Sequence, residues 1–303
     1  MKYISAKTMS SNDLKKWNEL SELERLDFIK NSATDCIFIV GKTTDEIQRI
    51  SCHKKVLAEC SDVFSSMFSG NYFESEKNYE ISLDDVSPRA FQFFVTFIYF
   101  GVYQGKNSMK DLAQLAYLSD KYMICPLSTA CETEIKDKLK CAITLSELVE
   151  LLKYQVFRQY HKMIESLQLK WDYDDFRLSS PMHNLCASGF TVLLKKLSKI
   201  LSAADLFEIV ENYVTFNFIQ EKNDKNLHDT EIMSGSNTII IELFLSKVRF
   251  QDMTAAEFCG GPIKSSLLNV NRKLNILIEI SKKYIPKKRF GYYNGNSYVE
   301  IDI

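Results

Sequence analysis

A chain of 303 residues exceeds one average domain, and a 46% hydrophobic content is material enough for two cores. A net charge of −1, with 25% charged residues, leaves no electrostatic footprint for nucleic acid or an anionic membrane surface. The eight cysteines form no C-x-x-C pair, the start MKYISAKTMSSNDLKKW lacks a signal-peptide core, and no window approaches about eighteen uninterrupted apolar residues, so a soluble protein of a reducing, intracellular compartment is expected.

In chain order, Leu14, Trp17, Leu20, Leu23 and Leu26 recur every three residues among charges. That spacing drifts around a helix of 3.6 residues per turn, and Ser21 with Glu24 has the form of a capping box, which allows two short helices in place of one. Ile37–Val40 reads as a strand, residues 41–45 as a turn and Ile47–Cys52 as the return strand. Val56–Cys60 and Val63–Phe68 read as short helices with Ser61 as a cap between them. Glu80–Leu83 is a short alternating strand. Pro88 opens a helix whose apolar body, Ala90–Tyr99, stops at Gly101. A helix pair follows, Leu112–Tyr122 and Leu127–Leu139, broken at Pro126.

Beyond residue 140 the pattern is helical: Leu145–Lys153, Phe157–Lys170, Thr191–Leu201, Asp205–Gln220, Ile239–Val248 and Val270–Tyr284. Two polar stretches interrupt it, the acidic Trp171–Asn184 and the connector Glu221–Asn237. The tail after Pro286 turns strand-like, and no repeat of about 20 to 50 residues is present.

Motifs for chemistry are missing. Cys52 and His53 are adjacent and so lack the spacing of paired zinc ligands, and His183 with Cys186 has no second pair nearby. Gly260-Gly261-Pro262 is a turn rather than a phosphate cradle. Asp172, Asp174 and Asp175 read as solvated. The basic stretch from Lys282 to Arg289 reads as a charged helix end, with nuclear import as the alternative. A non-catalytic protein without metal or cofactor is expected, in the cytoplasm and, on the alternative reading of the basic stretch, also in the nucleus.

One stretch is dense in matching residues. Asp35 opens the first strand. His53, Leu57 and Ser61 stand in an H-K-x-V-L-x-x-x-S run, followed by Val63, Phe64, Met67 and Phe68 as V-F-x-x-M-F. Ala90-Phe91, Ile98-Tyr99 and Gly101 come next, then Ala116, Lys121 and Tyr122 as A-x-x-x-x-K-Y. Over residues 35–139 the chain resembles a BTB/POZ domain. Residues 140–285 resemble the helical BACK domain that commonly follows it, chiefly through ELFLSKVRFQDMTAAEFCGGPIKSSLL. The implied architecture is an α+β domain, a small sheet with helical hairpins, followed by an all-α domain. Residues 1–34 are an N-terminal segment with a dimerisation helix, and 286–303 are a tail where kelch-type relatives carry further repeats.

The resemblance implies a homodimeric protein–protein adaptor that presents the scaffold cullin-3 to a ubiquitin ligase complex and recruits a protein substrate. Cullin-3 binders in the family carry a hydrophobic-x-acidic triplet after the V-F-x-x-M-F helix, and Tyr72-Phe73-Glu74 occupy that place. With them, Phe64, Met67, Phe68 and Tyr122 form the expected cullin surface. The plainer alternative has Tyr72 covering the domain's own core and Glu74 solvated. Leu14, Trp17, Leu20, Leu23 and Leu26 lie where such dimers exchange contacts, the alternative being an intramolecular cap. Asp35 and Lys54 occupy a charged pocket of some dimer seams, and a structural pair fixing the hairpin is the preferred reading. The rival function is a dimeric scaffold or transcriptional co-regulator that binds no cullin.

Overall fold

The computed structural model describes residues 16–43, 46–70, 80–103, 105–170, 180–219, 235–284, 289–293 and 298–302. The chain packs as two units, Met1–Arg177 and Leu178–Ile303.

The first unit opens on a 3-10 turn, Trp17–Glu19, and helix α1, Glu22–Asn31. These are the two short elements that the Ser21–Glu24 pattern allows. The Ser21 hydroxyl accepts from the Glu24 amide at 3.3 Å while the Glu24 carboxylate accepts from the Ser21 amide at 2.7 Å. A three-stranded sheet follows in the order β2-β1-β3. Strand β1, Cys36–Val40, buries Cys36, Phe38 and Val40 completely, as the two-residue period of a strand dictates. Antiparallel to it runs β2, Gln48–Cys52, with Phe38 opposite Ile50. Parallel to it on the other side lies β3, Glu80–Leu83, with Phe38 opposite Ile81. The chain leaves β1 through Gly41 at φ +125°, where an added Cβ would stand 2.9 Å from the Glu46 carbonyl oxygen.

Helices α2, Lys54–Cys60, and α3, Asp62–Ser69, meet at Ser61, whose hydroxyl accepts from the Phe64 amide and donates to the Tyr122 carbonyl at 2.6 Å. Helix α4, Pro88–Phe100, starts with proline in its first turn and ends on Gly101 in the left-handed conformation. Helices α5, Met109–Lys121, and α6, Cys125–Leu139, are the expected antiparallel pair. Pro126 sits inside the first turn of α6, where the missing N–H costs no helical bond, so the helix begins ahead of it.

Helix α7, Leu145–Leu152, packs on α5. The segment read as one helix from Phe157 to Lys170 divides in three. A 3-10 stretch, Gln155–Tyr160, leads into the short α8, His161–Ser166, and then β5, Leu169–Lys170, pairs in parallel with β4, Ile143–Thr144. That pairing joins residues remote in sequence, and local periodicity carries no sign of it.

In the second unit, α9, Ala187–Leu197, and α10, Ala203–Val214, pack with α11, Gly235–Leu245. Tyr213 stacks on Phe190 at 3.6 Å and meets Phe244 edge to face. The helix expected to run to Gln220 keeps α geometry to Val214 and then widens into a π turn, Thr215–Ile219. Helices α12, Ala255–Gly260, and α13, Val270–Lys282, follow. The strand-like tail forms an antiparallel hairpin, β6, Arg289–Tyr293, and β7, Tyr298–Asp302.

Candidate functional site

The surface expected to carry function lies around α3, and an aromatic ladder supports it from within. Phe38 of β1 meets Phe64 edge to face at 6.1 Å. Phe64 in turn stacks on Tyr122 at 4.1 Å and on Phe68 at 5.8 Å. Phe64 is wholly buried and Tyr122 is 4% exposed, so these two residues are core groups and not contact groups. Their effect on a surface is indirect, through the ring of Phe68 that Phe64 supports. Met67 and Phe68 are half-buried and present the apolar side of α3. Tyr72, Phe73 and Glu74 lie outside the described residues.

Charge borders this surface. The Lys54 ammonium stands 5.5 Å from the centre of the Phe68 ring, and that of Lys121 5.8 Å from the Tyr122 ring. Lys121 also donates to Asp85 at 2.9 Å, and Tyr117 donates to the same carboxylate oxygen at 2.5 Å. Burial works against the Lys121 charge, yet its bond to Asp85 carries the pKa up to about 12. Burial likewise raises Asp85, but the bonds from Tyr117 and Lys121 prevail and leave it below the ordinary carboxylate value. The end of α5 thus carries an ion pair, Lys121 with Asp85.

Next to Tyr122 stands Met123, 63% exposed and in the left-handed conformation at φ +56°. The Met123 and Ile124 amides turn back to the carbonyls of Asp120 and Ser119, closing α5 with a motif that glycine usually occupies. Sequence reasoning passed over Met123, because only the backbone angle marks it as unusual.

The residues assigned to dimerisation separate. Trp17 is 3% exposed and is covered by its own chain. Its indole N–H donates to the carbonyls of Ile98 and Tyr99, each at 3.2 Å, and its ring meets Phe28 and Tyr99 edge to face. Leu20 and Leu26 are half-buried, Leu23 is 79% exposed, and Leu14 lies outside the described residues. Asp35 and Lys54 do meet, through the backbone: the Asp35 carboxylate accepts from the Lys54 amide at 2.7 Å and ties the first strand to the start of α2. Close by, the Tyr99 hydroxyl bonds both the backbone amide and Nδ1 of His53, whose Nε2 reaches the Ser32 carbonyl at 3.2 Å. His53 is a structural group.

Among the described residues no three His, Cys, Asp or Glu side chains converge as metal ligands, and no helix is long and apolar enough to cross a membrane. What the first unit offers is a sheet clasped by helical hairpins, with apolar side chains brought to its surface on a rigid aromatic support. That arrangement defines a protein-binding module. Residues 27–139 match the BTB/POZ domain family, and this stretch of the chain is a BTB/POZ domain. The match starts inside α1, ahead of Asp35, and stops at Leu139, where α6 ends.

The chain is 24% identical over 276 residues to BTB/POZ domain-containing protein 6-B of Danio rerio, an alignment covering 89% of this chain and 53% of that protein. It is 27% identical over 273 residues to BTB/POZ domain-containing protein 6 of Mus musculus, covering 86% and 46% respectively. BTB and MATH domain-containing protein 40 of Caenorhabditis elegans is 26% identical over 145 residues, covering 48% of this chain and 36% of that protein. Against these BTB/POZ domain-containing 6 proteins the chain spans about half their length. Among solved structures, the BTB domain of zebrafish PATZ1 aligns with a TM-score of 0.28 and 25% identity, over 35% of this chain and 77% of that one.

Proposed function

We propose that this protein is a homodimeric substrate adaptor of a cullin-3 ubiquitin ligase, with residues 140–285 serving as a BACK-like extension of the BTB domain. One observation carries the reading: the half-buried Phe68, stacked on the buried Phe64, which in turn stacks on Tyr122. The ladder presents an apolar edge on a support that cannot fold away. A partner helix laid against Met67, Phe68 and the hydrophobic Tyr72 of the adjoining triplet buries that edge, while Glu74 offers a charge-assisted hydrogen bond at its border. Burying one such aromatic anchor contributes about 1.5–3 kcal/mol. In this reading the ligation chemistry belongs to the assembled partners, and the protein substrate docks elsewhere on the chain.

Calorimetric titration of the full chain against the cullin-3 N-terminal domain tests this. Binding in the sub-micromolar range, weakened at least about tenfold by Glu74→Lys, is the expected result. A dimer that folds normally but takes up no cullin points instead to the scaffold or co-regulator reading.

Self-association is proposed through the outer face of α1, because Leu23 is 79% exposed there while Trp17 is taken up internally. Isologous pairing is the commonest closed arrangement for such a face. Leu23→Glu is expected to convert a dimer to a monomer in light scattering with the protomer fold retained, since its side chain is 79% exposed. A monomeric wild type, or a variant that stays dimeric, removes α1 from the interface.

A further inference from the structure

On the first unit, away from α3, an open groove of about 860 Å³ runs between α6, the loop before Asn107 and the β4–β5 pair. Its charged groups are unequally committed. The Glu134 carboxylate accepts from the Tyr103 hydroxyl at 2.6 Å and from the Asn107 amide at 2.8 Å. Asp137 accepts from Lys140 at 2.7 Å, and Glu147 caps α7 by accepting from the amide and hydroxyl of Thr144. The acids of the groove are therefore engaged by the chain itself. Its three lysines, Lys106, Lys138 and Lys170, are not: none of their ammonium groups has a partner among the described residues. Between the lysines the lining is largely apolar, with Ala130, Ala142 and Ile143.

The backbone adds a second sign. Lys106 holds φ +68°, a conformation unfavourable for a side chain with a Cβ, and it is kept there by the Asn107 amide bond to Glu134. Backbone strain of this kind gathers at binding sites, where the surrounding structure over-determines it. Here the strained residue carries one of the three lysine ammonium groups that have no partner among the described residues.

We infer that this groove docks an acidic peptide segment of a partner protein, with carboxylates on the three lysines and intervening apolar side chains against Ala130, Ala142 and Ile143. A small anion leaves the apolar lining unused. Nucleic acid demands a broad basic face, which three lysines beside three carboxylates do not make. The inference gives the adaptor reading a substrate class, an acidic linear segment, yet it stands on a different face and does not require cullin.

The experiment is fluorescence polarisation with the full chain and no cullin. The probe is a fluorescein-labelled octapeptide alternating glutamate and leucine, with its lysine–leucine counterpart as control. Saturable binding of the acidic probe alone is expected, falling as salt screens the lysines. The triple variant Lys106→Glu, Lys138→Glu, Lys170→Glu is expected to weaken it at least about tenfold while the chain still melts cooperatively, since these ammonium groups bond no described residue of the fold. Absence of binding, equal binding of the basic probe, or indifference to the triple variant overturns the inference. Displacement by inorganic phosphate at constant ionic strength overturns it as well, by reducing the groove to a simple anion site. The cullin titration reads out separately, so either proposal fails without the other.

Discussion

Phe64→Ala is expected to lower the stability of the first unit by about 3–5 kcal/mol, the range for truncating a large aromatic in a packed core. The ring is wholly buried and sits at a junction: it meets Phe38 of the sheet, Phe94 of α4, Phe68 of its own helix and Tyr122 at the end of α5. Its neighbours cannot collapse into the space left behind, because each belongs to a different element fixed by its own bonds. Ser61, for one, anchors the Tyr122 carbonyl at 2.6 Å. At roughly 2–4 °C per kcal/mol for a unit of this size, the melting temperature falls by roughly 10 °C. The same variant separates support from contact. Phe64 offers no surface of its own, so any loss of cullin affinity in the folded fraction comes from release of Phe68. A variant that melts within about 2 °C of wild type would show that Phe64 is not the junction described.

Much of this organisation is legible in the sequence, for reasons that are local. The period-two run DCIFIV, proline at the start and glycine at the end of α4, and the Ser21–Glu24 and Ser61 caps all act within a few residues. The positions where sequence and structure part company depend on remote partners. Leu169–Lys170 continues a helical pattern but is drawn into a strand by Ile143–Thr144. Phe64 and Tyr122 sit in motif positions that suggest contact, while their burial rests on a stack between α3 and the end of α5. The motif marks the right surface, yet it cannot tell a residue that touches a partner from one that holds the toucher in place. Lys106 and Met123 were silent for a different reason: their signal is a backbone angle, and neither residue type is one that announces a left-handed turn.

Trp17 shows the same limit most sharply and sets the second large effect. In a stripe of leucines ahead of the first strand it reads as a dimer contact, but the fold uses it to close α4. The last carbonyls of a helix lack intrahelical partners. Here Gly101 donates to Phe97, and the indole N–H of Trp17 covers Ile98 and Tyr99. Arg25 donates to the Trp17 carbonyl at 3.2 Å and lies over its ring, while the Glu59 carboxylate accepts from the Trp17 amide at 2.6 Å. Trp17→Ala is therefore expected to cost about 3–5 kcal/mol in the isolated protomer, independent of protein concentration. Trp17→Phe keeps much of the apolar burial but removes the N–H from two helix-end carbonyls, at about 1–3 kcal/mol. Chemical denaturation of both variants at two protein concentrations checks this. If the losses grew on dilution, the tryptophan would be acting between protomers. If they hold at both concentrations, the N-terminal segment is a latch within one chain, and the outer leucines of α1 are left to any second copy.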